Sequence, residues 1–510
     1  MGAGWVQFPA PRARYDWSFL RGPFIKALAI NLTAQGAGAL LSLAILPLCA
    51  SLLGMDAFGL LGVAATFQLI VFIVDGCNIM SRLMARQIDS PAIDAGLRAN
   101  NLFAAAERRY LGLLGLGAAV CLAAALPLSL IMVANSSLSR AIIGQSLALI
   151  GVATFIKLLT SYYRGCLVGL HAQVRANLIG LGANIVRFPL AYLFSLLVPD
   201  IRVFLATQLA SFVLEACLLR SAFRARLACE APAQIRLGLD CLRSERRFIA
   251  SSMGLAALST FASQIDKVML ASALSLAEFG AASLAILMCG GLFVLSTPVY
   301  QIYLPRLAAN TGSAGSHQTA SALMAALLCV SVPAAVTLAV CAPAIARLIA
   351  PGQAGSAGLI GDAFVLWGLG NCLSIVALGL YLLYFAAGTV MRYAALLGAY
   401  LAVYLPLSWM ALHWHGLQGA GTAWVLGNLL LLGLLTVDLA RREVIDAGLV
   451  KMLIASTACM GLAWGLGSII RPLLPSGATA SAGLTAATYL AGLALTVLIL
   501  LPTLRRTNSG

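Results

Sequence analysis

Apolar runs of about twenty residues recur along nearly the whole chain, each long enough to cross roughly 30 Å of hydrocarbon as a helix. No other feature restricts the fold as strongly. Apolar residues make up 61% of the 510 and charged residues 10%, with a mean hydropathy of +0.96. A soluble protein of this length needs far more charge to cover its surface. The chain is therefore read as an all-α polytopic membrane protein.

Fourteen spans are expected, near 27–51, 57–80, 110–134, 141–163, 176–198, 202–220, 249–275, 279–303, 319–346, 362–386, 393–412, 418–438, 452–470 and 483–503. The basic residues test that number. With the N-terminus in the cytoplasm, the tails and the inward gaps hold 25 of the 32 Lys and Arg, and the outward gaps hold only Arg140, Arg202, Arg347 and Arg471. Lys157, Arg187 and Lys267 fall inside spans. Such a split satisfies the positive-inside rule at nearly every loop, and one helix more or less would scramble it. Both termini are thus expected in the cytoplasm.

The same distribution explains the net charge of +15 without nucleic acid. The charge lies on short loops where topology alone demands it. The first apolar run is of spanning length and lacks a small-x-small cleavage site, so no cleaved signal is expected. Twelve scattered cysteines with no CxxC read as small buried hydrophobes, and neither metal nor cofactor is expected. His413 and His415, flanking Trp414, read as an interfacial aromatic cluster.

Internal repetition shapes the functional argument. "LGMDAFG" (53–59) and "LSLAEFG" (274–280) stand 221 residues apart, after the first and the seventh span. An offset of 217 places Arg175 on Arg392, Pro189 on Pro406 and Arg224 on Arg441. Two six-helix bundles are therefore expected at 27–220 and 249–440. A cytoplasmic tail (1–26), an Arg-rich cytoplasmic linker (221–248) and two additional helices with a short tail (441–510) complete the chain. Six is even, so both bundles enter the membrane alike and are related by a pseudo-two-fold axis along the membrane normal.

Against this background, "LLGMDAFGLLGVAATFQLIVFIVDGCNIMSRLMAR" (52–86), "IDKVMLASALSLAEFGAASLAILMCGGLFVLSTPVYQIYLPRLA" (265–308) and "GLQGAGTAWVLGN" (416–428) resemble the polysaccharide flippases. These form the Wzx-like branch of the multidrug/oligosaccharidyl-lipid/polysaccharide exporter superfamily. The resemblance spans residues 25–445 and implies transport of an undecaprenyl-pyrophosphate-linked oligosaccharide (an O-antigen, capsule or exopolysaccharide unit) from the inner to the outer leaflet. It also implies a bacterial inner membrane, membrane lipids as surroundings, H+ or Na+ as coupling ion, and a polysaccharide polymerase and chain-length regulator as partners.

The charges inside spans carry the candidate site. Arg187 lies at the centre of the fifth span, too deep to snorkel, with Asn184 one turn before it and Pro189 two residues after. It closes onto a carboxylate of its own half, or stands as a fixed positive charge in an aqueous cavity. Lys157 faces the same cavity or reaches towards the cytoplasmic interface, and Lys267 faces the cavity, reaches towards the outer interface or forms a purely structural ion pair. Asp266 is the first candidate for ion coupling, and as a helix neighbour of Lys267 about 100° away it need not pair with it. Asp75, near the cytoplasmic end of the second span, is a gate contact or a salt-bridge partner of Arg82 or Arg86. Tyr381 and Tyr384 in the tenth span cap a sugar or pack at the interface. A pyrophosphate needs the counter-charge that fixed Arg and Lys supply, and Arg binds phosphate through paired hydrogen bonds.

Two other functions compete. A membrane glycan polymerase or glycosyltransferase requires carboxylates near a membrane face, yet no DxD occurs and the outward gaps are short, so no enzyme is expected. A drug/cation antiporter of the same superfamily favours carboxylates deep in the N-terminal half, where the weighed charge is Arg187.

Overall fold

The computed structural model describes residues 38, 41–42, 44–71, 75–88, 94–132, 136–227, 232–310, 315–349, 354–470 and 487–496. The expected N-terminal tail, the start of the first span and the C-terminal tail lie outside them. Among the described residues every regular element is a helix. In chain order these are α1 (Ala44–Leu53), α2 (Met55–Val71), α3 (Cys77–Ile88), α4 (Ala95–Met132), α5 (Arg140–Gly169), α6 (Gln173–Leu197) and α7 (Ile201–Leu227). There follow α8 (Ile235–Ser244), α9 (Arg246–Ala273), α10 (Leu276–Asn310), α11 (Gly315–Ile349), α12 (Ala354–Ala386), α13 (Val390–Arg441), α14 (Ala447–Ile470) and α15 (Ala487–Thr496). Nine of the described helices are long and apolar enough to cross a membrane on their own.

Two local breaks account for part of the difference from the fourteen expected spans. In α13 the backbone leaves helical geometry at Gly416, with φ 56° and ψ −137°. That conformation is nearly closed to residues with a Cβ. The chain reverses there, so one continuous element supplies two spans. The second expected span is broken the other way. The Asp75 carboxylate accepts the backbone N–H of Cys77 at 3.1 Å, capping the start of α3.

Elements α1–α7 form one bundle and α9–α13 the other, with α14 and α15 packed outside the second against α11. The helix α8 lies between them in sequence and docks on α4. The backbone N–H of Gln234 donates to the Asn101 side chain at 2.6 Å, and Arg86 pairs with Glu245 just beyond α8.

The two bundles meet through the repeated motif itself. A Cβ at Gly59 would collide with the carbonyl oxygen of Leu276, and one at Gly280 with that of Met55. These contacts exchange under the 221-residue offset, as an isologous contact must. Gly62 presses on Ser283, which is its own counterpart, so the pseudo-two-fold axis passes beside that pair. Each copy of the motif also opens its helix in its own way. Ser275 and Glu278 form a reciprocal capping box at α10. Asp56, in the first turn of α2, accepts from the N–H and hydroxyl of Ser137. Around the crossing, Met55 and Phe58 share a core with Phe279, Leu284, Phe364 and Trp367.

Candidate functional site

Helix α6 is exposed on one side and packed against protein on the other. Ile185 and Val186 are exposed, whereas Arg187 keeps only 6% of its surface. A buried guanidinium is costly unless it is paired and hydrogen-bonded. Arg187 donates through Nη2 to Glu215 Oε2 at 2.5 Å and through Nη1 to Asn184 Oδ1 at 3.0 Å. Its face stacks on Phe212, 4.0 Å from the ring centroid. The other oxygen of Glu215 accepts from Arg164 at 2.9 Å, so one carboxylate bridges guanidinium groups from α5 and α6. Arg187 Nε is buried and makes no hydrogen bond. One strong donor of the guanidinium is thus left unsatisfied.

The Arg187 side chain also lines a cavity wall. A cavity of about 330 Å³ lies between the bundles and is lined by Arg187, Lys157, Gln68 and Phe212 of the first, and by Lys267 and Ser283 of the second. A further cavity of about 430 Å³, within the first bundle, shares Arg187 and Lys157 and adds Arg164, Asn184 and Glu215. Lys157 donates to Gln68 Oε1 at 2.8 Å and lies 5.7 Å from the Phe212 centroid. The inter-bundle cavity straddles the axis: its linings Leu46 and Lys267, Gly62 and Ser283, Ala65 and Ile286, and Thr66 and Leu287 are each related by the 221-residue offset.

The structure therefore brings Arg187, Lys157 and Lys267 to one chamber and places Asn184 behind the guanidinium. It also answers the question about pairing: Lys267 Nζ lies 3.8 Å from Asp266 Oδ1, an ionic contact beyond hydrogen-bond length. Asp266 is 6% exposed and its Oδ1 has no hydrogen bond. Asp75 caps α3 instead of bonding Arg86, which is taken by Glu245.

Tyr381 and Tyr384 are set apart from both cavities. Tyr384 is buried and donates to Asp438 at 2.8 Å, and the same carboxylate holds Arg392 at 2.6 Å. Tyr381 packs against Tyr393 with the rings tilted by 53° and their centroids 4.5 Å apart. Their helix presents them to the α13 arms, so they serve packing and an ion cluster.

Glu215 is the site residue that sequence reasoning passed over. It is an acid inside the apolar run 202–220, which is the same signal that singled out Arg187. Its presence corrects the picture of a purely cationic N-terminal half. Even so, four cations (Lys157, Arg164, Arg187 and Lys267) face one carboxylate across the linings of the two cavities.

No protein-family model and no curated relative matches the sequence. Solved structures do share its fold. The lipid II flippase MurJ in an inward closed conformation superposes with a TM-score of 0.69 at 12% identity, covering 95% of this chain and 99% of that one. An inward-facing multidrug resistance MATE transporter of the MOP superfamily gives 0.62 at 16% identity over 84% and 99%. A MOP superfamily transporter from Pyrococcus furiosus, described by the reverse polarity of its binding pocket, gives 0.53 at 13% identity over 90% and 99%. The chain has the fold of MOP superfamily transporters.

Proposed function

We propose that this protein flips a lipid-linked oligosaccharide across a bacterial inner membrane by alternating access, with the pyrophosphate held in the inter-bundle cavity by Arg187, Lys157 and Lys267. The observation that carries the reading is the buried Arg187 guanidinium, with one donor unused, on the wall of a chamber with surplus positive charge. A pyrophosphate brings the acceptors that this donor lacks, and its lipid tail stays in the bilayer. The likeness to a lipid II flippase supports cargo of this class. Arg187→Ala should abolish flipping of a fluorescent lipid-linked oligosaccharide in proteoliposomes while the protein stays folded. Arg187→Lys should recover little, because a point charge cannot replace a fixed fork. Transport at the wild-type rate in Arg187→Ala would refute the assignment.

Coupling to H+ or Na+ is assigned to Asp266, whose buried oxygen beside Lys267 has no hydrogen bond. Asp266→Asn should leave a transport rate that no longer responds to an imposed pH or sodium gradient. A gradient response equal to that of the unsubstituted protein would remove Asp266 from this role.

Glu215 favours a second reading as a drug/cation antiporter, since it places a carboxylate deep in the first bundle as cation exchange requires. In the structure that carboxylate is engaged by two arginines, which leaves it little attraction for a cationic drug. Uptake of a cationic dye that stops in Glu215→Gln, with no flipping of lipid-linked sugar, would select the antiporter.

A further inference from the structure

The two arms of α13 enclose a groove of about 380 Å³, lined by Arg392 and Leu396 on one arm and by Leu430, Gly433, Leu434, Val437, Asp438 and Arg441 on the other. The residues 430, 433, 434, 437 and 441 follow helical spacing, so they form a single stripe along the arm. From Leu430 to Arg441 the stripe rises about 16 Å at 1.5 Å per residue, roughly half of a 30 Å hydrocarbon core. Its length therefore matches one leaflet. Gly433 and Val437 are exposed, and a Cβ at Gly433 would meet nothing within 4 Å, so the groove is open along its side.

The apolar stripe ends on charge. Arg392, Arg441 and Arg442 cluster there against one carboxylate, Asp438. That carboxylate already accepts from Tyr384 at 2.8 Å and from Arg392 at 2.6 Å, with Arg442 at 3.6 Å. Arg441 is exposed and pairs with no carboxylate among the described residues. The matching place in the first bundle differs. At the 217-residue offset, buried Ala216 stands where Gly433 is exposed, and Arg220 stands where Val437 does. The groove is thus a property of the second bundle and not of the repeat.

An apolar stripe about 10 Å long, Leu430–Val437, that ends in surplus guanidinium fits a molecule with an acyl chain and a phosphate at one end. We propose that this groove binds one anionic phospholipid from the leaflet at the basic end of the bundle, with its phosphate on Arg441 and Arg392 and one chain along Leu430–Val437. The phosphate attracts the arginines electrostatically, and the chain replaces bulk lipid against the stripe. Neither cavity lining Arg187 is involved, so the site is independent of the transported cargo.

The test is lipid retention by the full-length protein, purified from vesicles of equal parts phosphatidylglycerol and phosphatidylcholine and examined by native mass spectrometry. The unsubstituted protein should keep one phosphatidylglycerol in preference to phosphatidylcholine. Arg441→Ala should lower that retention about tenfold, the worth of one charge-assisted hydrogen bond. Gly433→Leu should expel the lipid while leaving every charge in place. Both positions are exposed, so both variants should elute as the unsubstituted protein does. Equal retention of the two lipids, or phosphatidylglycerol retention unchanged in either variant, would overturn the proposal.

Discussion

A buried guanidinium stripped of its carboxylate costs far more than a site from which both charges are gone. For the Arg187–Glu215 pair this gives two opposed outcomes. Glu215→Ala should destabilise the protein by about 3–5 kcal/mol, the usual consequence of orphaning one buried charge. The thermal midpoint in detergent would report it as a fall. The double variant Arg187→Met, Glu215→Leu should regain most of that midpoint, yet transport should be absent from it. Arg187 was legible in the sequence because an arginine at the middle of an apolar run has nowhere to go but inward. Glu215 carried the same signal. Its pairing stayed hidden because it depends on the rotation of α6 and α7 about their own axes, which no linear spacing records. The pairing of Tyr384 stayed hidden for a related reason: its partner, Asp438, lies 54 residues further on and on another helix.

At the scale of elements, the α2–α10 crossing is where repetition becomes contact. The motif copies at 53–59 and 274–280 were visible as repeats, but nothing in either shows that they touch each other. Two bare Cα atoms against two carbonyl oxygens leave no room for a side chain. Gly59→Val or Gly280→Val should therefore force the helices apart at this end. Because the two positions are equivalent under the axis, the two substitutions should act alike. In a background lacking native cysteines, Ser283→Cys should react with a membrane-impermeant thiol reagent faster once either valine is present. Unchanged labelling would mean that the crossing yields elsewhere. The break in span two and the reversal at Gly416 sit at the opposite extreme of legibility. The glycine-rich "GLQGAG" marks the reversal plainly, whereas the Asp75 cap was obscured by reading its charge as an ion-pair partner.

For the whole molecule, the distribution of arginines predicts a sidedness that is testable without any substrate. A reporter enzyme active only outside the cytoplasm should work when fused after Arg347 and fail when fused after Arg442. The reverse pattern would invert the proposed direction of transport. The bundle architecture was accessible from the sequence because hydrophobic length and loop charge are each nearly one-dimensional. A cavity was expected, but its full lining was not legible, since it forms from four or more helices whose mutual rotation only packing decides.

One consequence follows from the way that chamber straddles its axis. The backbone scaffold would accept a guest equally well in either of two poses, but the side chains at equivalent points are unlike: Leu46 faces Lys267, and Gly62 faces Ser283. With the 217-residue offset, the counterpart of Arg187 is Tyr404, a buried phenol without charge. The degeneracy of the scaffold is thereby lifted. On the proposed function, a polar guest would have a single preferred heading, with its anionic portion drawn to the wall that carries Arg187 and Lys157.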